Sequence, residues 1–478
     1  MANSTSQQHR PPIVAVMGHI DHGKTTLLDR IRSARVALKE AGGITQHLSA
    51  YQTEVILKSG ATKAITFIDT PGHAAFRAMR TRGTQITDIA LLVVSAIDGV
   101  MAQTKEAISQ IKAAGIPVIV AMTKTDLEGS QPEKIKGQLV ELELTPEEYG
   151  GQVALIPVSA KTGQGIPELL ESISLLADVM ELPYLPDAPL EAVVYESRME
   201  VNRGAVVSVI IKNGQIKVGD TLYADSATGK VKVLNDWSGK SLQVALPSMP
   251  IEILGFNTVA PVGAALSFEM TSPTVSALQP MPKIGDADSP HLNLILKADV
   301  GGTLEALKSS LSDDVTIVSS GIGAINDTDI FMAASSHAEI FAFNVPVPKT
   351  VKNLADNEKV KIFESRIIYE ILENIQSQVL KLMDPTIEET TLGEAKITAE
   401  FKIEKVRIAG IQVYKGELSK GDQVHLKRGD KIIKDTKVEN IRQAKSDVDR
   451  VKATGECGVT FKPYVDFQIN DVIISYKS

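Results

Sequence analysis

Residues Gly18 to Thr25 read G-H-I-D-H-G-K-T, a fit to the phosphate-loop pattern G-x-x-x-x-G-K-[ST], and the flanking residues restrict that stretch to one backbone shape. Pro12 to Met17 is a short apolar run that reads as a buried strand. Thr26 to Ile31 reads as the first turns of a helix, whose N-terminus adds its dipole to an anion site. Between them, Gly18 and Gly23 let the loop His19-Ile20-Asp21-His22 curl so that successive amides face one anion. Lys24 brings charge to the β- and γ-phosphates, and Thr25 offers a hydroxyl to Mg²⁺. The chain is therefore read as binding a purine nucleotide.

Three further strand ends follow in an order that supports this. Ala64 to Ile68 leads into Asp69-Thr70-Pro71-Gly72-His73, where the carboxylate reaches the Mg²⁺ shell and the Gly72 amide can touch a γ-phosphate. Pro117 to Met122 leads into Thr123-Lys124-Thr125-Asp126, and a carboxylate at Asp126 can accept from two donors on a guanine edge, which adenine does not present. Ala154 to Val158 leads into Ser159-Ala160-Lys161, whose amides would close the base pocket. The nucleotide is read as GTP or GDP.

At 478 residues the chain is too long for one core and predicts three or four domains. A hydrophobic content of 43% is that of a soluble globular protein, and no apolar stretch is as long as a membrane span. One cysteine, Cys457, excludes internal disulfides and a cysteine-based zinc site, and suits a reducing cytoplasm. The net charge of −8 argues against indiscriminate nucleic-acid binding. From Thr386 onward, however, 17 Lys+Arg meet 15 Asp+Glu, so the acidity lies before that point.

The expected fold class is α/β multidomain. Polar residues 1–12 read as a disordered N-terminus, and strand and helix signals alternate from 13 to 182 as a phosphate-loop GTPase domain with a doubly wound parallel sheet. The proline-rich Leu182 to Pro189 marks a boundary. Short β-branched strands with glycine turns then read as a β-barrel over 190–270. A β-α-β domain without a phosphate loop follows over 286–358, in which Asp299-Val300-Gly301-Gly302-Thr303 reads as a tight turn and helix cap. Apolar residues at helical spacing over 359–384 predict one long connecting helix, and 393–478 reads as a second barrel. Gly214 to Asp220 and Gly416 to Asp422 share G-x-[IL]-x-x-G-D, which predicts barrels of one type.

With these elements placed, the chain resembles bacterial translation initiation factor two from about Ile13 to Tyr476. The resemblance is carried by Gly18 to Thr25, by Gly42-Gly43-Ile44-Thr45-Gln46-His47 and by Asp69 to Gly83. It is carried also by Pro247 to Gly255, Leu296 to Gly302 and Gly455 to Gly458. It implies a monomeric cytoplasmic GTPase, stimulated by the ribosome, that acts on both ribosomal subunits, places initiator tRNA and promotes subunit joining. It also implies Thr25, Thr45 and Asp69 around Mg²⁺, and His73 as the catalytic residue that orients water. Asp21 reads equally as a monovalent-cation ligand or as a plain loop carboxylate. Arg442, Lys445, Glu456, Cys457 and Gly458 are implied as the site for the aminoacylated tRNA end. Two positions depart from the family pattern. Thr123 replaces an asparagine, which predicts weaker nucleotide binding, and Arg442-Gln443-Ala444 lacks the usual aromatic and one charge.

Two other classes fit part of the chain. An elongation-type factor would share the first two domains without explaining the β-α-β domain and its helix. A GTP-holding scaffold without turnover would not need His73 and Thr45.

Overall fold

The computed structural model describes residues 8–32, 44–58, 60–184, 188–270, 291–383, 390–403, 406–429, 431–443, 446–462 and 465–477. It divides into two compact units, 1–382 and 383–478.

The first unit opens on a six-stranded sheet with order β2-β3-β1-β4-β5-β6, in which β1 is Ile13–Gly18, β2 Ser49–Ile56, β3 Thr62–Asp69, β4 Ile89–Ser95, β5 Val118–Thr123 and β6 Ala154–Pro157. All pairs are parallel except the edge pair β2/β3. Every residue of β1 and β4 is buried, as expected for strands covered by helices on both faces. The covering helices are α1 (Lys24–Ile31), α2 (Arg77–Ile86), α3 (Ala102–Ala114), α4 (Pro132–Glu141) and α5 (Ile166–Met180). Because the strands are parallel, the four motifs all emerge at their carboxyl ends, along one rim.

The expected disorder of 1–12 is corrected from residue 8 onward; Met1 to Gln7 lie outside the described residues. Gln8–His9 pairs antiparallel with Pro183–Tyr184. Arg10 makes a two-pronged ion pair with buried Asp88 at 2.6 and 2.7 Å, and Asp88 also accepts from the Ile13 amide at 2.9 Å. These partners lie 78 and 75 residues apart, so local polarity did not reveal them.

Glu191–Glu200 (β7), Gly204–Asn213 (β8), Thr221–Ala224 (β9), Ala227–Asp236 (β10), Pro250–Phe256 (β11) and Ala265–Leu266 (β12) form an antiparallel sheet of order β9-β10-β11-β8-β7-β12. The bridge Tyr223–Ser267 closes it into a barrel. Next comes a parallel sheet of order β14-β13-β15-β16, formed by Leu292–Ala298 (β13), Val315–Ile322 (β14), Glu339–Phe343 (β15) and Ile362–Ser365 (β16). Its helices are α6 (Gly301–Ser309), α7 (Asp327–Ser336), α8 (Lys349–Asn357) and α9 (Ile368–Met383).

The single helix predicted over 359–384 is thereby corrected. Ile362 and Phe363 pair with Ile340 and Phe341 in a fourth parallel strand, the two phenylalanine rings 5.8 Å apart, and α9 starts only at Ile368. Helical spacing is real from Ile368 onward. Upstream, the strand partner across the sheet decided. The stripe Ile368, Ile371, Ile375 and Val379 is buried in a core shared with β13 and with Phe76 and Met79 of the first domain.

The second unit, taken by itself, is a closed barrel. Thr390–Ile403 (β17), Val406–Ser419 (β18), Gln423–Arg428 (β19), Lys431–Gln443 (β20), Glu456–Lys462 (β21) and Val472–Lys477 (β22) run in the order β17-β22-β19-β20-β21-β18, and β18 pairs back to β17. The repeated G-x-[IL]-x-x-G-D stretch makes the same turn in both barrels. Asp220 accepts from the Lys217 amide at 2.7 Å and Asp422 from the Ser419 amide at 2.8 Å. The amides of Gly219 and Gly421 bond to Val231 and Val438.

Candidate functional site

The loop between β1 and α1 wraps a cavity of about 190 Å³ lined by Asp21, Lys24, Thr25, Thr45, Gly72 and His73 among others. Gly23 takes the left-handed conformation (φ 85°) at the N-cap of α1, which a side chain would strain. The buried Lys24 ammonium donates to the His19 carbonyl at 2.8 Å across the loop. Burial pushes its pKa down to about 8 against the opposing pull of Asp69, so an anion entering the loop would favour its charged form. Ile20, whose amide donates to Gln103 at 3.0 Å, is anchored from α3, a residue that no motif marked. Asp21 is exposed with φ 61°, and Thr26 borders the cavity.

His22 is buried. Its Nδ1 accepts from the Ser95 amide at 3.3 Å, and burial, the largest influence, lowers its pKa to about 4. It is thus a neutral brace between the phosphate loop and β4.

Three oxygens converge beside Lys24. The Thr25 hydroxyl lies 2.5 Å from that of Thr45 and donates to Asp69 at 3.2 Å. Two hydroxyls and a carboxylate form a hard-oxygen set, the donor chemistry that Mg²⁺ selects. Gly72 lies against this cluster. A Cβ there would come within 2.7 Å of the Lys24 ammonium and 3.1 Å of the Ile20 amide, so only glycine leaves the cradle open. Thr70 ties the turn to β1 by donating to Val16 at 2.7 Å, and Pro71 is buried.

His73 borders the cavity, but its Nδ1 accepts from the Ala75 amide at 3.2 Å and its ring packs edge-on to Phe76. Burial first and Arg80 second lower its pKa, which favours the neutral ring. Arg80 donates to the carbonyls of Pro71 (3.1 Å) and His73 (2.6 Å) and pairs with Glu106. Its Nη1 braces this turn and its Nη2 ties it to α3. Sequence reading takes in this residue within Asp69 to Gly83 but assigns it no role, because nothing in the stretch sets Arg80 apart from Arg77 and Arg82 of the same helix.

At the base end, Thr123 is buried and donates to the His22 carbonyl at 2.6 Å, so the shorter side chain still ties the base loop to the phosphate loop. Thr125 donates to Val158 at 3.0 Å, Lys124 pairs with Asp98 at 3.2 Å, and the Asp126 carboxylate is exposed at the rim. Ser159 is buried and caps its own turn through the Thr162 amide at 3.1 Å; Ala160 and Lys161 follow outward. The four sequence motifs thus share one rim.

Comparison with known proteins assigns the parts. Residues 9–178 match the elongation factor Tu GTP binding domain, 189–268 the elongation factor G domain 2, and 270–376 translation-initiation factor 2. Translation initiation factor IF-2 of Halothermothrix orenii is 42% identical over 98% of this chain and 72% of its own length. The chain belongs to the translation initiation factor IF-2 family. The IF-2 of Carboxydothermus hydrogenoformans is also 42% identical over 98% of the chain, which spans 60% of that relative's length. Among solved structures, GDP-bound aIF5B from Aeropyrum pernix covers 98% of this chain and 92% of its own, with a TM-score of 0.51 and 24% identity, a likeness of fold. The first domain of this IF-2 family member is therefore a GTPase domain that binds GTP and GDP. No helix among the described residues is long and apolar enough to cross a membrane.

The last barrel holds the remaining candidates. Gly458 pairs with Gly410 on one side and with Arg442 on the other, while Glu456 and the Arg442–Asp447 ion pair are exposed. Cys457 faces the barrel core, where burial pushes its thiol pKa up to about 11, because alternation along β21 turns it inward. Lys445 and Ala444 lie outside the described residues. One exposed aromatic on this barrel was not singled out by the sequence. Phe401, 55% exposed, lies over Gly410, where a Cβ would come within 2.8 Å of its ring.

Proposed function

We propose that this chain works on the ribosome as a cytoplasmic, monomeric initiation factor that hydrolyses GTP, places initiator tRNA on the small subunit and promotes subunit joining. The convergence of Thr25, Thr45 and Asp69 beside Lys24 and Gly72 is the observation that carries this reading, since it joins the phosphate loop to both segments able to respond to a γ-phosphate.

In this reading Thr25, Thr45 and Asp69 hold Mg²⁺, which when bound neutralises charge on the β- and γ-phosphate oxygens. Lys24 adds its charge to the same oxygens, and the Gly72 amide donates to the γ-phosphate. Asp126 accepts from the guanine edge, the amides at Ser159 to Lys161 close the pocket, and Thr123 holds the base loop to the phosphate loop. His73 orients the attacking water, the part a glutamine plays in small GTPases. Its Nδ1 is occupied by the Ala75 amide and Arg80 is committed to carbonyls, so the free protein is poorly organised for catalysis. A ribosomal contact that reorients His73 supplies the missing order. In the last barrel, Arg442 meets phosphate, Phe401 offers a stacking face, and Glu456 and Gly458 border the aminoacyl group.

GTP hydrolysis measured with and without ribosomes tests this. Slow turnover alone and a rise of several orders of magnitude with ribosomes is expected; fast turnover by the free protein would overturn it.

A further inference from the structure

Two lysines on the outer face of the last barrel stand where sheet geometry disfavours them. Along β20, Thr436 and Val438 are buried and Lys437 between them is exposed; along β21, Phe461 is buried and Lys462 after it is exposed. Alternation thus turns both lysines outward. They are also direct cross-strand partners, because the register of β20 on β21 sets Lys437 against Lys462. Like charges in that position repel and weaken a sheet.

Little in the barrel offsets this. Lys462 has an acidic neighbour in Glu439 at 3.8 Å, but with side chains 79% and 49% exposed such a pair contributes little. Lys437 makes no ion pair among the described residues. Its partner on the other side, across β19, is the uncharged Gln423, and its stem runs along the turn at Gly421, where a Cβ would lie 3.9 Å from Lys437 Cε.

The place of this row is informative. Four residues back along β21, Gly458 pairs with Arg442 on the same two strands. Val459 and Ile441 beside them are buried, so Gly458 and Arg442 face outward as the lysines do. At roughly 3.4 Å per residue the two rows are about 14 Å apart, with Asn440 opposite Thr460 between them. One outward track therefore runs from Arg442 and Gly458 to Lys437 and Lys462.

We propose that Lys437 and Lys462 bind backbone phosphates of the single-stranded end of initiator tRNA, whose aminoacylated tip lies at Arg442 and Gly458. This rests on the reading of the last barrel as the tRNA site. The nucleotides behind the tip have to leave along the barrel surface, and this track leads them to two positive charges that repel each other until an anion lies between them. Lysines on phosphate fix position without reading sequence, and a charged groove that follows the backbone is how single strands are held. The contact is local, since the chain as a whole carries a net charge of −8.

The test titrates the full chain with aminoacylated initiator tRNA at salt concentrations from 50 to 200 mM. Each phosphate neutralised on a single strand contributes about 0.7 to the slope of log affinity against log salt, so the Lys437→Gln/Lys462→Gln chain should show a slope shallower by about 1.4. Over that range the wild type should lose about sevenfold more affinity than the variant. Lys437→Arg/Lys462→Arg should keep the wild-type slope, and Lys396→Gln/Lys427→Gln, which removes the same charge from other strands, should leave it nearly unchanged. An unaltered slope in the first variant overturns the inference, and so does an equal change in the Lys396/Lys427 control. The wild type and the first variant should bind alike a tRNA trimmed of its single-stranded end; a persisting difference would put the contact on the double-stranded stem and overturn the assignment. Loss of ribosome binding without tRNA, with tRNA binding intact, would give the row to ribosomal RNA and overturn it as well. If the wild-type chain does not bind the aminoacylated tRNA and Arg442→Ala changes nothing, the reading of the barrel fails and takes this inference with it.

Discussion

The nucleotide site and the outer face of the last barrel differ in how their residues are held. In the first, Lys24, Asp69, Thr123 and Ser159 are buried, three of them at the ends of strands or on the helix that follows one, and fixed by hydrogen bonds to loop backbone or, for Asp69, to the Thr25 hydroxyl. In the second, Arg442 and Glu456 are exposed, and what shapes the surface is a pair of glycines facing each other across β18 and β21. A phosphate loop needs particular residues because its backbone must adopt one curled shape around an anion. A barrel face needs only side chains that alternate outward, so its chemistry can change while its fold does not. Function at the first site is written in short motifs, and at the second in register.

The strongest way to break this contrast is His73→Ala. Ribosome-stimulated turnover should fall on the order of 10² to 10⁴-fold, the range of a lost catalytic group, while GTP affinity stays within about twofold. Stopped-flow hydrolysis and equilibrium binding separate the two. A large loss of affinity would mean that His73 belongs to ground-state binding.

The second test is pH. With a pKa near 4 in the folded chain and an ordinary value of 6.5, His22 is neutral when folded but takes up a proton in the unfolded chain first as pH falls. Its contribution is whole above pH 6.5 and is lost progressively down to pH 4, by up to about 3 kcal/mol for a shift of this size. Thermal unfolding followed by fluorescence of Trp237, in the first unit, should therefore drop in midpoint from pH 7 to pH 5, and His22→Gln should flatten that drop. An unchanged slope in the variant would place the acid-sensitive group elsewhere.

Asp126→Asn sharpens the account of base selection. Hydrogen bonds to a charged group are worth roughly 1.5–3 kcal/mol, so GTP should weaken by about 10 to 100-fold and xanthosine triphosphate should bind better than it does to the wild type. Competition binding decides, and unchanged preference removes Asp126 from the pocket. The smallest effect is expected on the barrel. Phe401→Ala should weaken binding of aminoacylated initiator tRNA to the full chain by about 1 kcal/mol, the lower end of base stacking on an aromatic. If the variant binds as tightly as the wild type, the exposed ring is a surface residue and the tRNA face lies elsewhere.

Much of the nucleotide site was legible because each motif follows a run of apolar residues that can only be a buried strand, and parallel strands bring such ends together. What escaped were two contacts across long separations with no motif of their own, Gln103 on the Ile20 amide and Arg10 with Asp88, and one local brace, Arg80 on the Pro71 and His73 carbonyls nine and seven residues before it. Thr123 shows what a residue-by-residue comparison leaves out: read against a family pattern it predicts weaker nucleotide binding, and in place its hydroxyl reaches the His22 carbonyl. In the barrel, alternation could be read along Glu456-Cys457-Gly458, but which face looked outward depended on the neighbouring strands.

The sequence by itself determined the GTP-binding loop, the order of its four strand ends, the two related barrels and the family, because these depend on local backbone demands and on spacing along the chain. Tertiary structure decided what those local patterns leave open. Residues 362–365 became a strand because β15 offered an edge, and α9 began only where Gln46 could cap it. Cys457 turned inward because the barrel closed on that side. Asp299, in a stretch that reads as an ordinary turn, became the partner of His47 because sheet order opened a crevice beside it. In each case the deciding contact joins residues far apart in the chain, and its energy exists only once the fold has brought them within bonding distance.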